Sequence, residues 1–172
     1  MRALLAVPLL VAAVPASAQV LGEDRAACAG GEGPAIRVAV RGLKDRTGGL
    51  KLELYPANAQ DFTRDDTLLV REGKTFRRVR AAMPPSGPVV LCIKAPRPGR
   101  YALLFTHDRD GKNKFNPWKD GAGVVGTEGF GYARPRYTQA IVEVGAGIAS
   151  VTVTVQYLRG VAGFGPMKKA AD

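Results

Sequence analysis

The sequence predicts an all-β fold: an antiparallel β-sandwich of about seven strands, with a long glycine-rich loop at one end. Three observations predict it. Apolar and polar residues alternate with a period of two over several short runs, Gly/Pro turns separate those runs, and no stretch of comparable length beyond the N-terminal leader carries a helical period. A small antiparallel β-barrel is the competing closure, because alternation alone does not distinguish a closed sheet from two stacked ones.

The chain opens with a leader. Arg2 supplies a positive start, Ala3 to Val14 form an apolar run broken only by Pro8, and Ala16-Ser17-Ala18 give a small-x-small cleavage pattern. Residues 1–18 therefore read as a secretory signal peptide, with a mature start near Gln19. The apolar run is too short for a spanning helix, which needs about 20 residues. No lipobox cysteine follows it, and no later segment is long and apolar enough to span. The expected compartment is the periplasm or the medium. There the two cysteines, Cys28 and Cys92, are expected to pair, closing a long loop.

Residues 19–35 carry Gly30, Gly31, Gly33 and Pro34 and read as an irregular arm pinned by Cys28. The sandwich domain is expected over 36–158. In its first strand Ile36, Val38 and Val40 face one way, and Arg37, Ala39 and Arg41 the other. After Gly48-Gly49, Leu50, Leu52 and Leu54 alternate with Lys51, Glu53 and Tyr55, and the two runs are expected to pair as a hairpin. Residues 56–66, with Asn58, Asp61, Asp65 and Asp66, read as a loop or one helical turn. A strand over Phe76 to Ala81 is rich in arginine, and Pro84-Pro85-Ser86-Gly87-Pro88 breaks the chain. Val89 to Ala95 and Tyr101 to His107 follow around a Pro98-Gly99 turn, with Tyr101, Leu103, Phe105 and His107 on one face. Ala140 to Val144 and Ile148 to Leu158 close the set, the last alternating Val151, Val153, Val155 and Tyr157 with Ser150, Thr152, Thr154 and Gln156. Residues 159–172 read as a basic C-terminal tail.

The net charge of +10 invites anionic partners. Its densest group, Arg71, Lys74, Arg77, Arg78 and Arg80, is expected to protect an edge strand more than to build an anion site. Nucleic acid is not an expected partner, since no recognition motif is present and an exported chain seldom meets it.

The chemistry is concentrated in residues 108–136. Asp108, Asp110 and Asn116, with Glu128 further on, lie at spacings reminiscent of a calcium loop. Lys112 stands where an oxygen ligand is wanted, and Asn113 where such loops have glycine. A turn held by side-chain to backbone hydrogen bonds is the competing reading, with the Lys112 ammonium folded onto Asp108 or Asp110. His107 is the sole histidine. It has no neighbouring nucleophile, and a single histidine is a poor basis for zinc. Trp118, Phe130 and Tyr132 are the candidate binding aromatics, with Phe130 and Tyr132 expected to fold inward and Trp118 to stay exposed.

These pieces resemble a bacterial family, the domain of unknown function 2141. Within "CIKAPRPGRYALLFTHDRDGKNKFN", Pro98, Gly99, Tyr101 and Ala102 match its turn and strand, and His107-Asp108 its His-Asp pair. Asp110, Gly111 and Asn116 fall at its acidic or amide and glycine positions. Glu128, Gly129, Gly131 and Tyr132 of "GTEGFGYARP" are similar to its second glycine-rich segment. The resemblance spans roughly residues 36–157. It implies an exported β-sandwich, similar in general form to transthyretin-like modules, and no established reaction.

The function expected from the sequence is an exported, non-catalytic binding or structural module of the bacterial cell envelope, presenting loop 108–136 to a protein, a glycan or an anionic envelope surface. No cofactor is expected, calcium being the one ion considered. The alternatives are a calcium-stabilised scaffold, an accessory carbohydrate-binding module, or a hydrolase using His107 with Asp108 and Asp110.

Overall fold

The alternating runs form two sheets packed face to face. The computed structural model describes residues 19–31, 33–126 and 129–167. Residues 1–18, where the leader is expected, Glu128 and residues 168–172 of the tail lie outside them. Along the chain come β1 (Val20–Leu21), α1 (Arg25–Ala29), β2 (Ala35–Arg41), β3 (Gly49–Pro56), α2 (Asp66–Arg71), β4 (Arg77–Ala82) and β5 (Val89–Lys94). They are followed by β6 (Gly99–Asp108), β7 (Gly121–Gly123), β8 (Ile141–Val144), β9 (Ile148–Thr154), β10 (Gln156–Leu158) and β11 (Phe164–Pro166).

One sheet has the order β1-β5-β2-β9. The other runs β11-β10-β7-β6-β3-β4, with β8 also paired to β6, and neither closes on itself, so the barrel alternative is not formed. Between the sheets lies the main core. Ile36, Val38 and Val40 of β2 and Leu91 and Ile93 of β5 meet Leu50, Leu52 and Leu54 of β3 and Leu103 and Phe105 of β6. Each inward set is the apolar half of a period-two run, which is why the pattern was readable.

The expected hairpin between β2 and β3 does not form. β2 pairs with β5 and β9, while β3 pairs with β4 and β6. Residues 42–48 cross from one sheet to the other, and both edges of each strand are already taken. The first sheet is also not wholly antiparallel, because β9 runs parallel to β2, as β1 does to β5. Parallel neighbours need a long crossover, and the chain supplies one by passing through the second sheet between β2 and β9. The expected strand Ile148 to Leu158 is two strands. It leaves the first sheet after Thr154 and joins the second at Gln156.

β3 is buried on both faces, Lys51, Glu53 and Tyr55 included. Its outer face is covered by a second apolar layer: Phe62 and Leu69 from residues 56–71, Val124 and Phe130 from the long loop and Ala140 just before β8, with Phe164 of β11 at its margin. Glu53 accordingly takes an ion pair from Arg78 at 2.6 Å, since a buried carboxylate without a partner is costly. The arm carries β1 and α1, and Cys28 in α1 is bonded to Cys92 in β5 across 64 residues. β11 extends the second sheet past the 158 boundary expected from the sequence.

Candidate functional site

β6 delivers two consecutive residues to opposite sides of its sheet. His107 points between the sheets and is fully buried. Its Nε2 lies 2.8 Å from the Thr47 carbonyl oxygen, which can only accept, so Nε2 carries the proton. Nδ1 lies 2.6 Å from the Tyr157 hydroxyl. Burial pushes that phenol up to about 12 and pushes the imidazole below its ordinary value. Tyr157 therefore donates to a neutral ring while accepting the Lys44 N–H at 3.1 Å. Both ring nitrogens are engaged within the protein, which leaves His107 no free nitrogen. Asp108 is the last residue of β6 and Asp110 follows it, and neither is hydrogen-bonded to the ring.

Asp108 sits on the other side of β6, 7 % exposed, at the mouth of a loop that returns as β7. The ladder pairs Phe105 with Gly123, Thr106 with Ala122 and His107 with Gly121. Continued by one residue, it sets Asp120 opposite Asp108. Asp120 is 1 % exposed. One carboxylate oxygen from each of Asp108, Asp110 and Asp120 lies within 4.8 Å of the others.

Backbone N–H groups of the loop hold these carboxylates. Asp120 Oδ1 accepts from Arg109 at 2.8 Å and its Oδ2 from Asn116 at 2.7 Å. Asp108 Oδ2 accepts from Asn113 at 2.9 Å, and Asp110 Oδ1 from Lys112 at 3.2 Å. The Asn116 side chain donates to Asp110 Oδ2 at 3.3 Å and accepts the Trp118 N–H at 3.1 Å. Asp108 Oδ1 is buried and accepts no hydrogen bond.

The two residues that interrupt the calcium-loop pattern have clear places. Lys112 is exposed and makes no ion pair with the carboxylates, while the side-chain to backbone hydrogen bonds of the turn reading are formed at Asp108, Asp110 and Asn116. Asn113 adopts a φ of 60°, the left-handed conformation that glycine would supply there and that asparagine tolerates. Arg109 turns away to Asp45, where its Nε lies 3.0 Å from Oδ2, and donates to the Lys119 carbonyl at 2.8 Å. That guanidinium holds the Asp45 carboxyl well below the usual carboxylate range.

Asp108, Asp110 and Asn116 thus converge, while Glu128 lies outside the described residues. Asp120 was not singled out in the sequence. The signal that could have found it is the Gly-Ala-Gly strand after it, too short and too poor in side chains to show an alternation.

Of the aromatics, Phe130 is buried in the second layer and Trp118 is 82 % exposed. Tyr132 departs from expectation. It is 75 % exposed, and its hydroxyl donates to the Gly160 carbonyl at 2.9 Å. Phe115, 42 % exposed, leans on Phe164 with ring centroids 6.1 Å apart. The dense basic group is largely consumed internally: Lys74 pairs with Asp61 and Glu72, Arg77 with Asp24, and Arg78 with Glu53 and Asp66. Among the described residues no helix is long and apolar enough to cross a membrane.

Neither a curated protein nor a solved structure matches the chain. The family described as uncharacterized proteins conserved in bacteria, the domain of unknown function 2141, matches over residues 38–152. That range runs from β2 through β9 and contains the whole carboxylate loop, and the chain belongs to this family.

Proposed function

We propose that this protein is an exported binding module of the bacterial cell envelope, in which the two-sheet body holds the loop after β6 rigid and presents it to an anionic envelope surface. The observation that carries this reading is Trp118, 82 % exposed on a loop whose backbone is tied to buried carboxylates. A large aromatic left in water on an ordered loop is unusual without a partner, and tryptophan is favoured where one end of a contact is apolar and the other wet. Lys112, Lys114 and Lys119 are exposed on the same loop, so the residues around Trp118 are positive. Of the β4 arginines, Arg77 and Arg78 are held in internal ion pairs, whereas Arg80 is exposed and donates to Asn113 Oδ1 at 3.2 Å, adding its charge to this loop.

Export is supported by the leader and by the Cys28–Cys92 bond, which suits an oxidising compartment. The exported chain is expected to begin near Gln19, which its intact mass reads directly.

The test of binding is co-sedimentation of the mature protein with phosphatidylglycerol vesicles and with neutral phosphatidylcholine vesicles. Wild type is expected to bind the anionic vesicles, to release as salt rises from 50 to 500 mM, and to lose about tenfold in affinity in Trp118→Ala with an unchanged melting temperature. Equal binding by wild type and Trp118→Ala, or none to either vesicle, would rule the reading out.

A further inference from the structure

We propose that Asp108, Asp110 and Asp120 form a site for a calcium-sized divalent cation beneath that loop. The site goes beyond the proposed surface binding and does not depend on it.

Three other buried carboxylates, Asp24, Glu53 and Asp61, each pair with a lysine or arginine. Asp108 and Asp120 are buried to the same degree, yet among the described residues no basic side chain lies within 4 Å of them or of Asp110. Shortage of cations is not the reason, because the chain has 25 lysines and arginines. Arg109, the nearest in sequence, is committed to Asp45.

The ladder of β6 and β7 sets Asp108 and Asp120 opposite each other, an arrangement that destabilises a sheet when both residues carry the same charge. An independent observation is Asp108 Oδ1. It is fully enclosed and accepts no hydrogen bond, although its residue is more than nine-tenths buried. Burying a carboxylate oxygen without a donor is costly. A cation among the three carboxylates answers both problems: it separates the like charges and gives Oδ1 a partner.

The donor set selects the ion. It is all oxygen, both cysteines are in the disulfide, and the sole histidine is occupied between the sheets. Hard cations take such ligands. The ligand atoms all lie within 4.8 Å of one another, close enough to share one cation at calcium's oxygen distances of about 2.3–2.6 Å, and calcium accepts the irregular geometry of a loop where magnesium demands a near-ideal octahedron. Water is expected to complete the shell on the side open to Asp110, the most exposed of the three.

The experiment uses the mature, chelator-treated protein in 0.15 M KCl, titrated calorimetrically with calcium chloride and melted with 5 mM calcium, 5 mM magnesium or EGTA. The expected result is one site with Kd in the range of about 10⁻⁴–10⁻³ M, as in extracellular calcium modules, and a melting temperature about 3 °C higher in calcium than in EGTA. Asp110→Asn, half-exposed and safe for folding, should weaken binding at least tenfold, and Asp120→Asn should abolish the calcium-dependent shift. Identical melts in calcium and EGTA with no heat of binding would overturn the site. So would a wild-type calcium response in folded Asp110→Asn, and an equal response to magnesium would overturn the choice of calcium. Loss of vesicle binding in Trp118→Ala with calcium binding intact separates this site from the surface reading.

Discussion

At the scale of single residues, His107 shows how a side chain that looks chemical in sequence becomes structural. Its parity with Tyr101, Leu103 and Phe105 was legible, and parity alone carries it between the sheets. The Thr47 carbonyl and the Tyr157 hydroxyl that satisfy it lie 60 and 50 residues away, which no local pattern reveals. Burial lowers its pKa, so the unfolded chain takes up a proton near pH 6.5 while the folded ring resists it. Stability is therefore full above that pH and falls as pH drops below it. With one histidine in the chain and the carboxylates titrating lower, the urea midpoint should be lower at pH 5.5 than at 7.5. His107→Gln should flatten that difference, and equal wild-type midpoints would show that the ring is not held neutral. Tyr157→Phe removes the donor to Nδ1 and the acceptor of the Lys44 N–H, and should cost about 1–3 kcal/mol in urea unfolding at pH 7.5. Lys112 and Asn113 make the complementary point. Their identities argue against a calcium loop, whereas their conformations, one turned to water and one left-handed, leave its geometry intact.

At the scale of elements, the strands with alternating apolar residues were legible because burial on one face leaves a period of two. β2, β6 and β9 carry that period, as does β3 although its second face is covered too, and the inward residues expected for them lie in the core. Pairing was less legible. Nothing in the runs Ile36–Arg41 and Leu50–Tyr55 says whether residues 42–48 turn back within one sheet or cross to the other. β7 was invisible for a different reason. It is Gly-Ala-Gly, and its glycines are there because the β9–β10 crossing presses against them: a Cβ on Gly121 would lie 2.5 Å from the Tyr157 ring and 2.6 Å from Val155 Cγ1. Gly121→Ala should therefore destabilise by about 1–3 kcal/mol, as overpacking does. Because Gly121 follows Asp120 and pairs with His107, the same change should weaken calcium binding by displacing Asp120. A variant of wild-type stability and wild-type calcium affinity would mean that β7 does not set the carboxylate geometry.

At the scale of the whole molecule, the two-sheet core and the layer over its second sheet should respond separately to damage. The arm belongs to the first unit. Cys28–Cys92 ties α1 to β5, Asp24 pairs with Arg77 of β4, and its Oδ2 accepts the Lys94 N–H at 2.8 Å. A 64-residue separation implies about 4 kcal/mol from chain entropy alone, so Cys28→Ala/Cys92→Ala should lower the global unfolding midpoint. The C-terminal strand belongs to the second unit. β11 pairs with β10, Phe164 exchanges backbone hydrogen bonds with Gly131 at 2.9 and 2.6 Å, and its ring packs at the margin of the layer containing Phe130. Truncation after Leu158 removes those ties while leaving every inter-sheet contact of β2, β3, β5, β6 and β9 in place. Local opening needs less free energy than global unfolding where few apolar contacts must break. The truncated chain should therefore keep a cooperative melt and lose amide protection over residues 129–140, with a new tryptic cut after Arg136. A truncation that abolished the cooperative melt would show instead that the outer layer is part of the folding unit, and that the family-matched span 38–152 cannot stand without the strand that follows it.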